Sequence, residues 1–256
     1  MQIESITPKQ TEILLLLYRY RFLHSIHIQK FLGHKSHTLV NQWLSDLTNR
    51  NIIQKIDVKK SGIITSKPSI FYLGTKSRQI LKNNEKCRPD LLARVYQEKR
   101  RSETFRSHCL ALADLYFHFQ FAAQKQQATL SFYTSTDVSD FAYAPLPVPD
   151  AYIILEEKDQ TNRYFLEFID GGEKWFVVDR RMRQYISYFK KKYWQEHVKL
   201  PFPSIIYICP HKKLQIHLNT LIPKELEAEE VEIDFFSGIF ADIQEKGIQE
   251  DTWSLI

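Results

Sequence analysis

The amino-acid sequence predicts an α+β protein with two domains, at residues 1–86 and 92–256. Three observations lead to this fold class. Three short helices precede a β-hairpin in the first part, and two strands, a helix and a further strand follow a long helix in the second. The charges of the two parts also differ in sign. A chain of 256 residues is long enough to form two such domains.

The net charge of +5 conceals this separation of charge. Residues 1–110 contain 20 Lys and Arg against 8 Asp and Glu, whereas residues 111–256 contain 15 against 22. A strongly basic segment attracts polyanions, most commonly nucleic acid. The first domain is therefore the one expected to bind DNA.

The sequence favours a cytoplasmic protein that does not enter a membrane. It contains no apolar run of the ~18 residues that a membrane span needs, and its N-terminus lacks the apolar core of a signal peptide. Cys87, Cys109 and Cys209 are odd in number and show no CxxC spacing. This argues against a disulfide framework and against a cysteine zinc site.

Local signals define the first two helices. Thr7 is expected to cap a first helix, with Pro8 at its first position and Gln10 completing a capping box. A short second helix is expected over Ile26–Leu32, where Gly33 ends it.

Ser36 is expected to cap a third helix, whose apolar residues recur at helical spacing. The opposite face carries compact polar side chains that suit contacts with base edges and phosphates: His37, Thr38, Asn41, Gln42, Ser45 and Asn49. The alternative is that this face is only solvated.

Two β-rich segments follow, Ile52–Val58 and Ser69–Leu73, and Thr75 is expected to cap a further helix through Leu81. This order predicts a winged helix-turn-helix, with the third helix in the major groove and the hairpin against the DNA backbone. The predicted DNA-binding residues are Ser36, His37, Thr38, Asn41, Gln42, Lys59, Lys60 and Lys67. Winged helices also serve as protein-contact modules, which is the main alternative.

A long helix is predicted over Leu92–Gln124, with a break near Ser102. Its aromatic stripe is typical of a core or of a contact between subunits. By analogy with other winged-helix proteins, it is the element expected to form a homodimer.

The second domain contains two carboxylates that are expected to approach each other. Asp150 opens the strand Ala151–Leu155, and Glu167 lies near the end of the partner strand Arg163–Ile169. Two converging carboxylates could hold Mg²⁺ for phosphodiester hydrolysis. No cofactor is certain, and Mg²⁺ is the candidate.

The remaining elements predict a restriction-endonuclease-like fold. A helix is expected over Trp175–Gln195, followed by a strand over Ser204–Cys209, a helix over Lys213–Leu221 and a strand over Val231–Phe236. The signature of that fold is PD, a spacer and (D/E)xK.

Ile169 occupies the lysine position of this signature, and an isoleucine cannot activate water or stabilise an oxyanion. Arg181 is the candidate replacement from the next helix. It could stabilise charge but could not act as a general base, since it remains protonated.

Several segments together resemble the replication-relaxation family of plasmid and mobile-element proteins. They are Leu16–Leu23, Ile70–Leu73 with the Thr75-led helix, Phe105–Ala111, Pro149–Ala151, Phe165–Glu167 with Gly171 and Glu173, and Arg181–Tyr185. The resemblance implies a winged helix joined to a restriction-endonuclease-like domain, acting in plasmid replication or mobilisation. Members usually carry Asp at the position of Ile169 and often Lys at that of Arg181.

Three functions follow from the sequence. The first is a double-stranded DNA-binding protein of a mobile element whose nuclease-like domain is inactive. The second is a Mg²⁺-dependent endonuclease that uses Asp150 and Glu167, with Arg181 assisting. The third is an adaptor that binds a replication initiator or relaxase through the acidic segment 225–234 and the aromatic helix.

Overall fold

The computed structural model of the protein describes residues 5–57, 68–249 and 252–256. The chain divides into two compact units between Asp114 and Leu115. The described residues confirm the α+β class, with a three-stranded sheet in the first unit and a mixed six-stranded sheet in the second. The predicted domain limits at residues 86 and 92 stay a prediction.

The first unit combines short helices with one small antiparallel sheet. In chain order its elements are α1 (Pro8–Tyr20), β1 (Leu23–His24), α2 (Ser25–Phe31), α3 (His37–Asn49), β2 (Ile53–Ile56), β3 (Ile70–Leu73), α4 (Ser77–Leu81), α5 (Pro89–Ala93), a 3-10 helix (Val95–Arg100) and the first half of α6 (Glu103–Lys125). The strands lie in the order β1-β3-β2, and β3 pairs antiparallel with both neighbours.

The predicted helix signals operate in the first unit as expected. Thr7 and Gln10 form the capping box of α1. Gly33, with φ of +59°, follows α2 in a left-handed conformation that favours glycine. Ser36 caps α3 by accepting a hydrogen bond from the backbone N–H of Leu39 at 3.3 Å.

Two helix predictions in this unit are wrong in part. Thr75 does not cap α4, because the chain turns at Gly74 and the helix begins at Ser77, whose hydroxyl donates to the Gly74 carbonyl at 2.7 Å. The predicted helix over Leu92–Gln124 is continuous only within α6. Its break near Ser102 is confirmed, since the Ser102 hydroxyl accepts a hydrogen bond from the N–H of Phe105 and so starts a new helix.

The second unit is built around the mixed sheet. It contains β4 (Thr129–Thr134), α7 (Ser135–Val138), β5 (Ala151–Glu156), β6 (Thr161–Phe168), α8 (Trp175–Lys190), α9 (Tyr193–Val198), β7 (Ser204–Cys209), α10 (Lys212–Glu229), β8 (Phe235–Ile239), α11 (Phe240–Lys246) and β9 (Trp253–Leu255). The strands follow one another across the sheet in chain order, and β6, β7 and β8 are parallel.

The main core of this unit contains residues of the central strands together with residues of α8 and α10. Its fully or nearly fully buried members include Phe165, Met182, Ile205, Leu218 and Phe235. Burial of this kind contributes about 25 cal/mol for each Å² of apolar surface removed from water. The central strands are therefore held firmly, and they position the side chains at their carboxyl ends.

Two predictions in this unit are corrected. The helix that starts at Trp175 ends at Lys190, since Lys192 has a left-handed conformation with φ of 53°. The last predicted strand, Val231–Phe236, forms later, at Phe235–Ile239. The edge strands β4 and β9 were not predicted. In the described part of the chain, none of the helices combines the length and the apolar character that a bilayer crossing requires.

Candidate DNA interface and carboxylate site

The polar face of α3 is exposed along the whole helix. Val40, Leu44 and Leu47 bury the opposite face in the core of the first unit. The exposed residues are Ser36, His37, Thr38, Asn41, Gln42, Ser45, Asp46 and Asn49. Every predicted DNA-contacting residue of this helix is therefore accessible to a ligand.

The turn between α2 and α3 is held by side chains as well as by Gly33. Gln29 donates through Nε2 to the carbonyl of His34 at 3.0 Å. The imidazole of His34 contacts the ring of Trp43 edge to face, with 5.2 Å between the ring centroids. These contacts fix the direction of α3 relative to α2, as a helix that reads DNA requires.

The predicted lysines of the hairpin, Lys59, Lys60 and Lys67, lie outside the described residues, so their contact with DNA stays a prediction. The strands that lead to them are described. Ile53–Ile56 pairs with Ile70–Leu73 in antiparallel register from Ile53 opposite Leu73 to Ile56 opposite Ile70.

The two predicted metal-binding carboxylates come together on neighbouring strands. Asp150 directly precedes the pair of Ala151 and Leu166, so it lies opposite Glu167. The backbone N–H of Asp150 donates to Leu166, and one carboxylate oxygen of Asp150 accepts from the N–H of Phe168 at 2.8 Å. The hairpin predicted from the sequence therefore places Asp150 and Glu167 next to each other on neighbouring strands.

Glu167 is nevertheless closed off from solvent. Only 3% of the residue is exposed. Tyr185 donates its hydroxyl proton to Oε1 of Glu167, and the guanidinium of Arg181 forms an ion pair with Oε2. Arg181 also donates through Nη2 to the carbonyl of Val148 at 2.8 Å, which holds the guanidinium against the segment before Asp150.

The burial of Glu167 changes its ionisation. Loss of hydration is the largest influence and raises the pKa of the Glu167 carboxyl to about 8. The guanidinium of Arg181 opposes this shift, while the negative charge of Asp150 adds to it. The folded protein therefore binds a proton at Glu167 more tightly than an ordinary glutamate would.

This arrangement does not fit Mg²⁺ as it stands. Mg²⁺ requires nearly octahedral oxygen ligands and usually retains several waters. Both oxygens of Glu167 already have partners, and one of those partners is a cation. Arg181 and Tyr185 would have to move away before a metal ion could bind, so the metal and catalytic roles of Asp150, Glu167 and Arg181 stay predictions. Within the described ranges, no group of three or more His, Cys, Asp and Glu could hold a metal ion.

Ile169, at the position of the signature lysine, belongs to the hydrophobic core. It is 4% exposed and packs in the same cluster as Phe165 and Tyr207. A lysine introduced there would bring a charge into an apolar environment. The apolar residue at this position of the signature therefore suits the apolar core in which it packs.

Two residues of this site, Tyr185 and Tyr207, were not predicted from the sequence. Tyr185 lies four residues after Arg181 on α8, so helical spacing alone could have placed both on one face. Tyr207 lies beside Glu167 through the parallel register of β6 and β7, which no local pattern reveals. Its hydroxyl is buried without a hydrogen-bond partner in the described residues.

The acidic segment proposed for an adaptor role is partly engaged within its own unit. Glu225 accepts two hydrogen bonds from Arg183, at 2.8 and 3.1 Å, and Glu229 pairs with Lys190 at 2.7 Å. These contacts join α8 to α10. Binding of a replication initiator or relaxase stays a prediction.

Comparison with known proteins places the chain in a family. None of the curated proteins compared with the chain matches it in sequence. Among solved structures, the restriction endonuclease FokI is similar with 11% identity and a TM-score of 0.33, and the match covers 98% of this chain and 47% of the FokI chain. The family model described as replication-relaxation matches residues 14–202. The chain therefore belongs to the replication-relaxation family.

Proposed function

We propose that the protein binds double-stranded DNA and acts in the replication or mobilisation of a plasmid or other mobile element. In this proposal the first unit is a winged helix-turn-helix that reads DNA. The second unit is a restriction-endonuclease-like domain that does not cut but provides a further contact to DNA or protein. Membership of the replication-relaxation family supports the biological setting.

The observation that carries the proposal is the exposed polar face of α3. A capped helix with a buried apolar side presents polar groups over its outer surface, and Asp46 is the one charged residue among them. Asn and Gln side chains of this kind can form paired hydrogen bonds with adenine, and Ser and Thr can contact bases or phosphates. Insertion of such a helix into the major groove is how helix-turn-helix proteins read sequence.

The order of elements supports the winged form of this motif. Three helices precede a hairpin, and the two-residue strand β1 pairs with β3 to complete a small sheet. In such proteins the hairpin lies against the DNA backbone beside the reading helix. Lys59, Lys60 and Lys67 would supply positive charge at that point.

The closed pair of Glu167 and Arg181 supports a second unit that does not cleave DNA. Phosphodiester hydrolysis needs an accessible metal ion or an equivalent source of positive charge that can reach the substrate. Here the guanidinium of Arg181 is already held by contacts with Glu167 and with the carbonyl of Val148. A contact role accounts for this unit without requiring any rearrangement.

The proposal is tested by fluorescence anisotropy with duplexes tiled across the origin region of the element that encodes the chain. We expect at least one duplex to bind more tightly than a scrambled duplex of equal composition. We also expect affinity to fall steeply as salt rises, because binding releases counterions. Absence of binding at low salt, or affinity indifferent to salt, would refute the proposal.

Metal-dependent cleavage is the second candidate, favoured by the position of Asp150 opposite Glu167 across the strands. Supercoiled plasmid is incubated with the protein and Mg²⁺ or Mn²⁺, alongside an Asp150→Ala variant. We expect no nicking by either protein. Nicking by the natural chain that disappears in the variant would replace the contact role of the second unit with an enzymatic one.

The proposal includes a homodimer, with α6 as the expected contact. Sedimentation or light scattering with and without the bound duplex measures its mass. A mass of one chain per duplex under saturating conditions would remove the dimer and leave DNA binding itself intact.

A further inference from the structure

The positive charge of the first unit does not reside on its proposed reading helix. The only charged residue of α3 is Asp46. By contrast, residues 75–101 contain nine Lys and Arg against three Asp and Glu. This segment comprises α4, α5 and the 3-10 helix, and it contains none of the DNA-binding residues predicted from the sequence.

These residues form a groove at one end of the small sheet. One recess, with a volume of about 400 Å³, is lined by Thr75, Lys76, Arg78, Gln79 and Lys82. A second recess shares Thr75 and is lined further by Gln54, Tyr72, Tyr96 and Lys99 among others. We call the two together the basic groove. It lies where Ile53 pairs with Leu73, which is the end of the hairpin opposite the pair of Ile56 and Ile70.

The walls of the basic groove are fixed in place. Gly74 brings the chain so close to the preceding segment that a side chain there would meet the carbonyl oxygen of Asn51 at 2.8 Å. Lys76 donates to the carbonyl of Arg50, the residue that ends α3. The 3-10 helix is tied to the end of α1 by an ion pair between Glu98 and Arg21 at 2.6 Å.

The cations that face the groove remain available. Two of the three acidic residues in this segment already have partners, because Asp90 pairs with Arg88 at 2.9 Å and Glu98 pairs with Arg21. Arg78, Lys82 and Lys99 are exposed, and none of them forms an ion pair with another described residue. A concave surface lined by unpaired cations attracts anions.

We propose that the basic groove binds the phosphate backbone of the same DNA duplex that α3 reads, an inference that rests on the proposed function. Lys, Arg, Thr, Gln and Tyr are the residue types that contact phosphates. The contact between Lys76 and the end of α3 makes the groove continuous with the reading helix. The groove therefore supplies affinity that is independent of sequence, while the exposed polar face of α3, which carries no Lys or Arg, supplies selectivity.

The test compares two triple variants that lose the same charge. The groove variant carries Arg78→Gln, Lys82→Gln and Lys99→Gln. The control carries Lys158→Gln, Lys213→Gln and Lys224→Gln, three exposed lysines of the second unit. Affinity for the preferred and the scrambled duplex is measured by anisotropy at several salt concentrations, after circular dichroism has confirmed that both variants are folded.

We expect the groove variant to bind both duplexes more weakly, by about tenfold or more at moderate salt, with an unchanged ratio between them. Its plot of log affinity against log salt should be less steep by about 2–3, since each lost phosphate contact removes about 0.9 from the slope. An unchanged slope in the groove variant would overturn the inference. An equal loss of affinity and of slope in the control would overturn it too, because the groove would then contribute no more than other exposed lysines of the chain.

Different results would refute the basic-groove inference and the proposed function. If the natural chain binds no duplex, the proposed function fails and the groove with it. If the natural chain binds its preferred duplex and a Gln42→Ala variant loses that preference, the proposed function stands. The groove variant then decides the inference alone.

Discussion

The outer face of α3 and the pair of Glu167 and Arg181 use polar side chains in opposite ways. On α3 the polar groups face water, so a ligand can displace that water at little cost. Glu167 is buried, and each of its two carboxylate oxygens already has a partner, Tyr185 or Arg181. A carboxylate at the position of a nuclease signature is therefore not necessarily accessible to a metal ion or a substrate. Four predictions test this contrast.

The largest effect is expected from Arg181→Ala. Removal of one partner of a buried ion pair leaves an uncompensated charge and typically costs about 3–5 kcal/mol. We expect a loss of up to this size at pH 8.5 and a smaller loss at pH 6, because without the guanidinium the Glu167 carboxyl retains its proton to higher pH. Urea unfolding at both pH values measures it.

The matched control for this variant is Arg183→Ala on the same helix. Arg183 is exposed and pairs with Glu225 near the surface, so its loss should cost no more than about 1 kcal/mol. Equal losses in the two variants would contradict the contrast between a buried and an exposed pair.

The second prediction concerns pH. A carboxyl whose pKa is raised to about 8 binds more protons in the folded than in the unfolded chain between about pH 4.5 and 8. Its contribution to stability therefore falls as pH rises through this window, by at most about 1.4 kcal/mol per pH unit. Glu167→Gln should flatten this part of the dependence of the unfolding free energy on pH.

Glu225→Gln provides the comparison, because the hydrogen bond from Arg183 lowers the pKa of Glu225. The contribution of Glu225 has the opposite sign and is lost as pH falls. If Glu167→Gln leaves the slope between pH 5 and 8 unchanged, the carboxyl is not the buried, proton-binding group described above.

The third prediction addresses the exposed face. Gln42→Ala should reduce discrimination between the preferred and the scrambled duplex by about 1–3 kcal/mol, which is the range for a lost base contact. The melting temperature should not change, since the side chain is exposed. Gln184→Ala, an exposed glutamine on α8, is the control and should change neither quantity. Retained discrimination in Gln42→Ala would remove this residue from the reading face.

The smallest effect is expected from Ser36→Ala. The loss of its hydrogen bond to the N–H of Leu39 should destabilise the protein by about 1 kcal/mol. Ser45→Ala, on the exposed face of the same helix, should cost less than about 0.5 kcal/mol. Denaturant unfolding compares the two, and indistinguishable midpoints would show that the cap does not support α3.

The sequence predicted much of the fold wherever the signal was local. The caps of α1 and α3 and the strand Ser204–Cys209 agree with expectation. The edge strands β4 and β9 were missed because an edge strand has one neighbour and a weak burial pattern. The prediction at Thr75 failed for another reason, because the turn at Gly74 is set by its close approach to Asn51 in an earlier segment.

The sequence predicted the two carboxylates of the candidate site but not how neighbouring side chains close it. A hairpin with a short turn brings Asp150 opposite Glu167, and this could be counted along the chain. Closure by Arg181 and Tyr185 depends on how α8 crosses the sheet, and the position of Tyr207 depends on the parallel register of two strands far apart in sequence. Neither leaves a local pattern.

The sequence by itself determined the helix starts, the two faces of α3 and the basic character of the first part of the chain, because propensity, capping and charge act among near neighbours. Tertiary structure decided which charged groups remain available. Glu167 is buried in the folded chain, whereas Arg78, Lys82 and Lys99 are exposed along one groove. Burial and pairing arise from contacts between distant segments, so only the folded chain separates a buried ion pair from a surface that can bind DNA.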